Sequence, residues 1–559
     1  MGVRRAVDML LDASARHSEP IFTYGPLIHN PQVLQMLEEK KIFRMDEIPE
    51  KGKGVVLIRA HGVPPEDELA LQEAGFTVIN ATCPRVVHVQ VIIQRYAKQG
   101  YTTIIAGDPK HPEVVGLLGY AGNKGHTVTS PDELSALPLF DKAVLVAQTT
   151  QNSHYYNELK SWCKIHAPHY KLFDTICGST EKRQAEIRKL AEDNDAIVVV
   201  GGKESSNTKR LYQIAADTEK PAFNVEDAAE IDYSLLNAAQ SIALTAGAST
   251  PNWIITDTYL KIKNNLQKHN KLKSALYRLR DFLLKTNILA SMGAGSLTYA
   301  CLSLQGIEAS IIHSMIAMFY VLSMQSINNL FAIRSERYNH PQRALFYKDN
   351  QPYLWILAIV SGFTGLYLSF LTGLASFIIL LLMTLLGLSY SLKIIPVFFG
   401  KGKISGIKDI PGSKTIITVL AWGIVSCLLP AVVTRNSLIP LAVVFLFAAS
   451  LVFARTAFFD ILAIQGDRIT GKETLPVIIG EKKTSRLIQY ALIFSAVLLF
   501  FADMTGVIIS SSFLFVSIPL IMLLLIRFFK KERFVSGEKR EFAIECLLIA
   551  TGPGLMLFM

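Results

Sequence analysis

The sequence is poor in charge and in cysteine. Asp, Glu, Lys and Arg make up only 18% of its 559 residues, against about 25% in an ordinary soluble chain. Half of the residues are hydrophobic, and the mean hydropathy of +0.32 predicts that part of the chain lies in a bilayer. This balance excludes disorder, collagen and a coiled rod. Six cysteines are too few for a disulfide scaffold and predict a reducing setting, where thiols serve as metal ligands or nucleophiles.

The hydropathy divides the chain into two halves. Residues 1–256 alternate short β-rich apolar runs with polar helical stretches, which predicts an α/β fold with parallel sheets. Residues 287–559 contain nine long apolar segments, most of them close to the roughly 20 residues that a helix needs to cross a bilayer. We therefore expect an α/β domain over 1–256, a basic amphipathic linker over 257–286 and an all-α, nine-helix transmembrane domain over 287–559.

The positive charges of the second half are unevenly placed. Four loops, near 329–351, 391–414, 459–486 and 527–541, hold 20 Lys and Arg residues, whereas the short turns between them hold only Arg435. This asymmetry predicts that the charged loops and the N-terminal domain face the cytoplasm. It also accounts for much of the net charge of +10, so that the bilayer is the expected partner and nucleic acid is not.

An internal repeat runs through the first half. A strand that ends near Cys83 is followed by a helix, a second strand and a polar loop that contains His111. The same order leads from Cys177 to Ser205, and both spacings are 28 residues. Each cysteine is therefore expected at a helix N-terminus, where the helix dipole favours a thiolate or an anionic cluster.

A third copy of the repeat opens the sequence. Residues 2–16 resemble its helix, 20–24 its strand and 25–29 its polar loop, and counting back 28 residues from His29 reaches Met1. The first strand and the first cysteine are therefore expected at or just before the N-terminus of this sequence. Three thiolates would suit an iron–sulfur cluster. Two cysteines alone leave open the alternative of two buried structural thiols.

Polar residues at the strand ends of the first half predict an anion-binding pocket. Hydroxyl, amide, imidazole and backbone N–H groups at the start of a helix can bind phosphate, although a single loop histidine more often has only a structural role. These residues are His29, His61, His111, Ser205, Ser206, Asn207 and Ser249. Glu113 lies two residues after His111 and is placed to deliver a proton.

Taken together, these motifs resemble the 4-hydroxy-3-methylbut-2-enyl diphosphate reductase family. The resemblance runs from residue 2 to about 256 and includes Ala60-His61-Gly-Val, Ala81-Thr-Cys83-Pro, His111-Pro-Glu113-Val, Gln148-Thr149-Thr150, Asp174-Thr-Ile-Cys177, Ser205-Ser206-Asn207 and Thr245-Ala-Gly-Ala-Ser249. It implies a three-unit, pseudo-symmetric α/β domain around a [4Fe-4S] cluster with three cysteine ligands.

The resemblance also implies roles for individual residues. Cys83 and Cys177 would be two of the cluster ligands, Thr149 would hold the substrate hydroxyl, and Glu113 would be the proton donor. The histidines, serines and Asn207 of the predicted pocket would bind the diphosphate. The implied reaction removes the hydroxyl reductively to give isopentenyl and dimethylallyl diphosphate, with electrons from a ferredoxin- or flavodoxin-like donor. The family's first ligand belongs to a Gly-Phe-Cys tripeptide that would directly precede Gly2, so a start codon upstream of Met1 is expected.

The second half resembles the UbiA superfamily of intramembrane prenyltransferases, which bind Mg²⁺ and a prenyl diphosphate through two Asp-rich motifs. The second motif is recognisable in Asp460 and Asp467, with Ala463 where another Asp is common. In the first motif only Glu336 is acidic, because Asn329 and Ala332 replace acids. The resemblance implies a possible Mg²⁺ and prenyl diphosphate site at Asp460, Asp467, Glu336 and Asn329. A degenerate membrane anchor is the alternative.

The sequence thus favours a reductase fused to a prenyltransferase-like domain in a bacterial inner membrane, with its N-terminal domain in the cytoplasm. Two alternatives stay open. The first is a membrane prenyltransferase that carries only a remnant of a reductase. The second is a non-catalytic membrane anchor for isoprenoid enzymes.

Overall fold

A computed structural model describes residues 2–17, 19–28, 31–236, 239–248, 250–266, 271–308, 310–392, 410–434, 437–508, 513–531 and 536–552. The chain forms two compact bodies. We call Met1–Leu266 the N-terminal domain and Gln267–Met559 the C-terminal domain. The predicted linker over 257–286 therefore includes the end of one body and the start of the other.

The N-terminal domain contains three parallel sheets, with strand orders β2-β1-β3-β4, β6-β5-β7-β8 and β10-β9-β11. The strands are β1 (Ile21–Tyr24), β2 (Ile42–Met45), β3 (Val55–Ile58), β4 (Thr77–Asn80), β5 (Thr102–Ala106), β6 (Gly125–Val128), β7 (Ala143–Ala147), β8 (Lys171–Leu172), β9 (Ala196–Val200), β10 (Ala222–Val225) and β11 (Ile242–Ala246). The predicted three-unit α/β architecture with parallel sheets is confirmed.

Helices connect and cover these strands. They are α1 (Gly2–Arg16), α2 (Pro31–Glu39), α3 (Pro65–Glu73), α4 (Pro84–Ala97), α5 (Pro112–Ala121), α6 (Pro131–Ala136), α7 (Ser153–His166), α8 (Gly178–Asp193), α9 (Ser206–Ala216), α10 (Tyr233–Leu236) and α11 (Asn252–Leu266). Because helices lie on both faces of a parallel sheet, its inner strands are apolar throughout. Every residue of β3, β5, β7 and β9 is accordingly buried.

Helices are the regular secondary structure of the described part of the C-terminal domain. Its helices are α12 (Lys271–Lys285), α13 (Ile288–Leu304), α14 (Ile311–Glu336), α15 (Pro341–Asp349), α16 (Gln351–Thr372), α17 (Leu374–Leu392), α18 (Ser413–Gly423), α19 (Leu429–Thr434), α20 (Leu438–Thr470), α21 (Leu475–Ile479), α22 (Glu481–Met504), α23 (Phe513–Lys531) and α24 (Gly537–Ile549). A π-helical turn, Ile424–Leu428, joins α18 to α19.

Six stretches of the described residues are long and apolar enough to cross a membrane, and α13 is a shorter apolar helix. The stretches are Ile311–Ile333, Gln351–Thr372, Leu374–Leu392, Ser413–Val432, Leu438–Thr470 and Glu481–Met504. The predicted all-α transmembrane architecture is confirmed, and the predicted number of nine helices is approximate.

Two of these helices extend beyond the predicted apolar segments. Hydropathy places the end of one segment near residue 327 and of another near 458, whereas α14 continues to Glu336 and α20 to Thr470. The added turns carry the polar motif residues, and α20 ends only at Gly471, whose φ of +70° forms a left-handed cap. Both motifs of the C-terminal domain therefore lie on helices.

Candidate active sites

Cys83 lies at the predicted junction of strand and helix. It is the N-cap residue of α4, and its backbone N–H donates a hydrogen bond to Ala60 O at 2.9 Å. The half-buried thiol makes no capping hydrogen bond. Helix α1 packs directly against it, since a Cβ atom on Gly2 would lie 2.7 Å from Cys83 Sγ. The first turn of α4 therefore does not use this sulfur as a cap.

Cys177 occupies the equivalent position at α8. The helix begins at Gly178, so that Cys177 is its N-cap residue, as predicted. The thiol is half-buried and makes no capping hydrogen bond. Its backbone N–H donates to Thr149 O at 2.9 Å. This bond places the cysteine beside the loop that follows β7.

Thr149 joins Cys177 to Glu113. The Thr149 backbone N–H donates to Glu113 Oε1 at 2.6 Å, and its hydroxyl donates to Oε2 at 2.9 Å. Glu113 is only 1% exposed. Burial raises the pKa of its carboxyl to about 7, against the lowering effect of the two hydrogen bonds from Thr149. The carboxyl is therefore partly protonated at neutral pH.

His111 and His61 lie next to this carboxyl. His111 is the N-cap residue of α5, and its Nδ1 accepts a hydrogen bond from Glu113 N–H at 3.1 Å. Because Nδ1 is the acceptor, a neutral His111 ring carries its proton on Nε2. The rings of His61 and His111 meet edge to face, with centroids 5.3 Å apart. The structure thus connects His61, His111, Glu113, Thr149 and Cys177 in one chain of contacts.

The third sheet supplies the serine and asparagine residues of the predicted pocket. Ser205 is the N-cap residue of α9, and Ser206 and Asn207 form the first turn of that helix. Asn207 Nδ2 is buried and has no hydrogen-bond partner among the described residues. Gly201, with φ of +156°, packs against the hydroxyls of Thr208 and Thr250, 2.7 Å from where its Cβ would lie. A buried amide donor at a helix N-terminus suits an anionic ligand. His29 and Ser249 lie outside the described residues.

The sequence did not identify the residues that link the second and third sheets. Arg210 of α9 donates from Nη2 to Gln151 Oε1 at 3.2 Å, and Gln184 donates to the Gln151 carbonyl at 3.2 Å. Burial lowers the pKa of Arg210. One feature of the sequence could have pointed to Arg210. It follows Ser206 by four residues, so both residues lie on the same face of α9.

The N-terminal domain fits an iron–sulfur cluster in its donor chemistry. Cys83 and Cys177 are both half-buried thiols at helix N-termini, and the partial positive charge of a helix N-terminus favours an anionic cluster. In the part of the chain that the structure describes, no three His, Cys, Asp or Glu side chains converge as a metal site.

The C-terminal domain contains a cavity of about 640 Å³. Asp460, Asp467, Glu336 and Asn329 all line it, so that the structure brings the four predicted residues together. Apolar side chains line the rest of the wall, among them Tyr320, Val321, Met324, Ile417, Trp422 and Phe459. The cavity thus combines a charged region with room for an apolar chain.

The two aspartates of the cavity already have partners. Lys414 Nζ donates to Asp460 Oδ1 at 2.7 Å, and the Thr415 hydroxyl donates to Oδ2 at 3.0 Å. Asp467 accepts from Asn339 Nδ2 at 2.9 Å and from the Thr474 hydroxyl at 3.1 Å. Both oxygens of each carboxylate therefore accept a hydrogen bond from the protein.

Glu336 and Asn329 of the first motif also form hydrogen bonds within the protein. Lys472 Nζ donates to Glu336 Oε1 at 3.1 Å. Asn329 Nδ2 donates to Asn287 Oδ1 at 3.3 Å and to the Tyr347 hydroxyl at 3.4 Å. Lys414 and Lys472 thus lie where the family resemblance implies Mg²⁺. With two lysines at the carboxylates and no converging trio of ligands among the described residues, the cavity does not fit that ion.

Comparison with known proteins identifies both domains. Residues 1–263 match the family profile described as LytB protein, and residues 289–546 match that of the UbiA prenyltransferase family. The 4-hydroxy-3-methylbut-2-enyl diphosphate reductase of Alkaliphilus oremlandii is 40% identical over 266 residues, which cover 47% of this chain and 95% of that protein.

Two solved structures are similar to the separate domains. The E-1-hydroxy-2-methyl-but-2-enyl-4-diphosphate reductase from Plasmodium falciparum is 28% identical with a TM-score of 0.45, over 48% of this chain and 84% of that one. A UbiA homolog from Aeropyrum pernix K1 is 13% identical with a TM-score of 0.39, over 49% of this chain and 99% of that one.

Because it covers nearly all of a relative at 40% identity, the chain belongs to the 4-hydroxy-3-methylbut-2-enyl diphosphate reductase family. Its second half carries a UbiA prenyltransferase domain. The predicted fusion of an isoprenoid diphosphate reductase with a membrane domain is thereby confirmed. The helices of the C-terminal domain make the chain a multi-pass membrane protein.

Proposed function

We propose that Glu113, Thr149, Cys83 and Cys177 form the reductive centre of this enzyme. The observation that carries the proposal is the position of Thr149, which accepts a hydrogen bond from Cys177 N–H and donates two to Glu113. Cys83 and Cys177 would hold an iron–sulfur cluster, with a third ligand from outside these residues. When bound, such a cluster supplies single electrons to the substrate.

The chain's own residues supply the proton. Loss of the substrate hydroxyl as water consumes two electrons and two protons, and one proton must reach the departing oxygen. The Thr149 hydroxyl donates to Glu113 when that carboxyl is ionised. When Glu113 is protonated the bond reverses, because the carboxyl O–H donates to the Thr149 oxygen and leaves the Thr149 O–H to donate to the oxygen of the substrate hydroxyl. Glu113, with a pKa of about 7, then delivers the proton at neutral pH.

The diphosphate is proposed to bind at the strand ends that face this centre. His61 and His111 contribute imidazole donors, while Ser205, Ser206 and Asn207 contribute hydroxyls, an amide and the N-terminus of α9. The buried Nδ2 of Asn207 supports this assignment, because an anion would supply the acceptor that it lacks among the described residues. His29 and Ser249 are proposed for the same pocket from the family resemblance alone.

The setting is proposed to be a bacterial inner membrane with residues 1–256 in the cytoplasm and residues 257–286 as a basic linker. Positive charge concentrated in the alternate loops of the C-terminal domain supports this orientation. A cytoplasmic ferredoxin- or flavodoxin-like protein would supply the electrons.

For residues 287–559 we propose the binding of a prenyl chain that carries a phosphate or diphosphate. The cavity supports this, since charged groups lie at Asp460 and Glu336 while Tyr320, Met324 and Trp422 offer an apolar wall. Transfer of the prenyl group to an acceptor is the activity that the UbiA match suggests. A membrane anchor without transfer is the alternative.

The cluster assignment is tested with Cys83→Ser and Cys177→Ser in the full chain, purified without oxygen. Both variants should lose bound iron, visible absorption and turnover, because a serine hydroxyl is a poor substitute for a thiolate ligand. Cys163→Ala is the matched control, since Cys163 is buried within α7 and lies outside the site. Wild-type iron content and turnover in either serine variant would contradict the assignment.

A further inference from the structure

The cavity of the C-terminal domain contains a lysine with a half-exposed side chain. Lys414 Nζ lies 2.7 Å from Asp460 Oδ1, yet the Lys414 side chain keeps 49% of its surface exposed, while that of Asp460 keeps 1%. Both residues line the cavity. Lys414 is therefore the more accessible member of this ion pair.

The other two carboxylates of the motifs also have hydrogen-bond donors. Lys472 lies on Glu336, and Asn339 and Thr474 hold the two oxygens of Asp467. Mg²⁺ demands near-ideal octahedral geometry with oxygen ligands at short distances. To bind here, it would have to compete with an ammonium group at Asp460 and with a second at Glu336.

Two further ion pairs lie on the cavity wall. Glu541 lies 2.7 Å from Arg343, and Glu545 lies against Arg455. All four of these residues line the cavity. Lys414 is also paired, but its side chain keeps a larger exposed fraction, 49%, than those of Lys472 (24%), Arg343 (18%) and Arg455 (8%).

Three neutral residues complete the wall. Asn329, Ala332 and Ala463 line the same cavity as Asp460 and Asp467. At these three positions the UbiA resemblance implies acidic residues. The wall therefore has three fewer negative charges than the resemblance implies. A site with fewer carboxylates offers fewer hard ligands to a divalent ion and needs less positive charge for balance.

We propose that this cavity binds the phosphate of a prenyl-chain ligand directly on Lys414, without a divalent metal ion. Lys472 provides a second ammonium group at the same polar end. The two lysines thus bind the phosphate through charge-assisted hydrogen bonds. In the enzymes that this domain resembles, Mg²⁺ has that role. The inference rests on the proposed function, namely that the cavity takes a prenyl phosphate.

Equilibrium binding of radiolabelled geranylgeranyl diphosphate to the full chain in detergent tests the proposal. The Kd should agree within about twofold between a buffer with EDTA and one with excess MgCl₂, because the ligand contacts lysine rather than metal. A wild-type Kd that weakens by about tenfold or more in EDTA would overturn the inference while leaving the prenyl phosphate ligand intact. Absence of binding in both buffers would instead refute the proposed ligand.

Substitutions at Lys414 locate the binding. Lys414→Ala should weaken the EDTA affinity by about tenfold or more, since a charged partner is lost. MgCl₂ should restore part of that affinity, because Asp460 is then open to the ion. Lys414→Arg should retain affinity in EDTA, and Lys482→Ala, at an exposed lysine outside the cavity, is the matched control. An unchanged Kd in Lys414→Ala would overturn the role of Lys414.

Discussion

Glu113 illustrates how one residue acquires its chemistry from its surroundings. Its carboxyl is almost fully buried, which disfavours the ionised form and raises the pKa to about 7. Thr149 holds both oxygens at 2.6 and 2.9 Å, and His111 caps the same helix turn. A carboxyl with this pKa and fixed orientation is suited to general acid catalysis near neutral pH.

Replacing Glu113 by Gln should remove the acid while keeping the shape of the side chain. We expect kcat to fall by about 10²-fold or more, because a general acid contributes at least that factor, while KM changes little. Steady-state kinetics under anaerobic conditions measure both. Glu186→Gln on the exposed face of α8 is the control. A normal kcat in Glu113→Gln would assign proton delivery to another group.

The pH profile should report the same carboxyl. Since the folded-state pKa is raised from 4.5 to about 7, Glu113 keeps its proton in the pH range below about 7 and loses it above. The rate should therefore be highest on the acid side and fall as the pH rises past about 7. Glu113→Gln should lack this decline. A wild-type rate that is constant from pH 6 to pH 9 would contradict the assignment.

At the residue scale, the sequence indicated groups that act within one motif and missed those that meet across the fold. Glu113 is only two residues from His111, so one motif contained both. Lys414 and Asp460 are 46 residues apart, and Arg210 and Gln151 are 59 apart. Such pairs depend on how helices and loops pack, which hydropathy and motif spacing do not specify. The lysine partner of Asp460 was therefore not foreseen from the motif that contains the aspartate.

At the scale of elements, strands were easier to predict than helix ends. β5, β7 and β9 agree with the predicted apolar runs, because a buried parallel strand is continuously apolar. The length of helix α20 was underestimated, because the residues of its last turns that line the cavity are polar. Hydropathy detects the lipid-facing part of such a helix, whereas backbone hydrogen bonding continues until the cap at Gly471.

Gly466 of α20 should be essential for the contact between α20 and the segment after α14. A Cβ atom at this position would lie 2.0 Å from Asn339 Oδ1 and 3.0 Å from the Tyr338 backbone. Gly466→Ala should therefore displace Asn339 from Asp467 and destabilise the C-terminal domain by about 1–3 kcal/mol, as overpacking does. Thermal unfolding in detergent measures this loss. Gly537→Ala, which meets open space, is the control; equal melting temperatures for the two variants would contradict the packing account.

At the scale of the whole molecule, the division into an α/β domain and a membrane domain could be predicted from hydropathy alone. The 28-residue repeat also indicated three similar α/β units, and three parallel sheets are present. The same arithmetic placed Cys83 and Cys177 at equivalent helix starts, where both serve as N-cap residues. The sequence could not predict that Thr149 would connect one of these cysteines to Glu113, because that contact forms between separate loops.

The central claim is that the full chain reduces 4-hydroxy-3-methylbut-2-enyl diphosphate at the centre formed by Cys83, Cys177, Thr149 and Glu113. The most direct measurement is product analysis after anaerobic incubation of the purified full chain with this substrate and a one-electron reductant. We expect isopentenyl and dimethylallyl diphosphate from the wild type, and neither above background from Cys177→Ser. A wild-type chain that holds its iron but forms neither product would contradict the account.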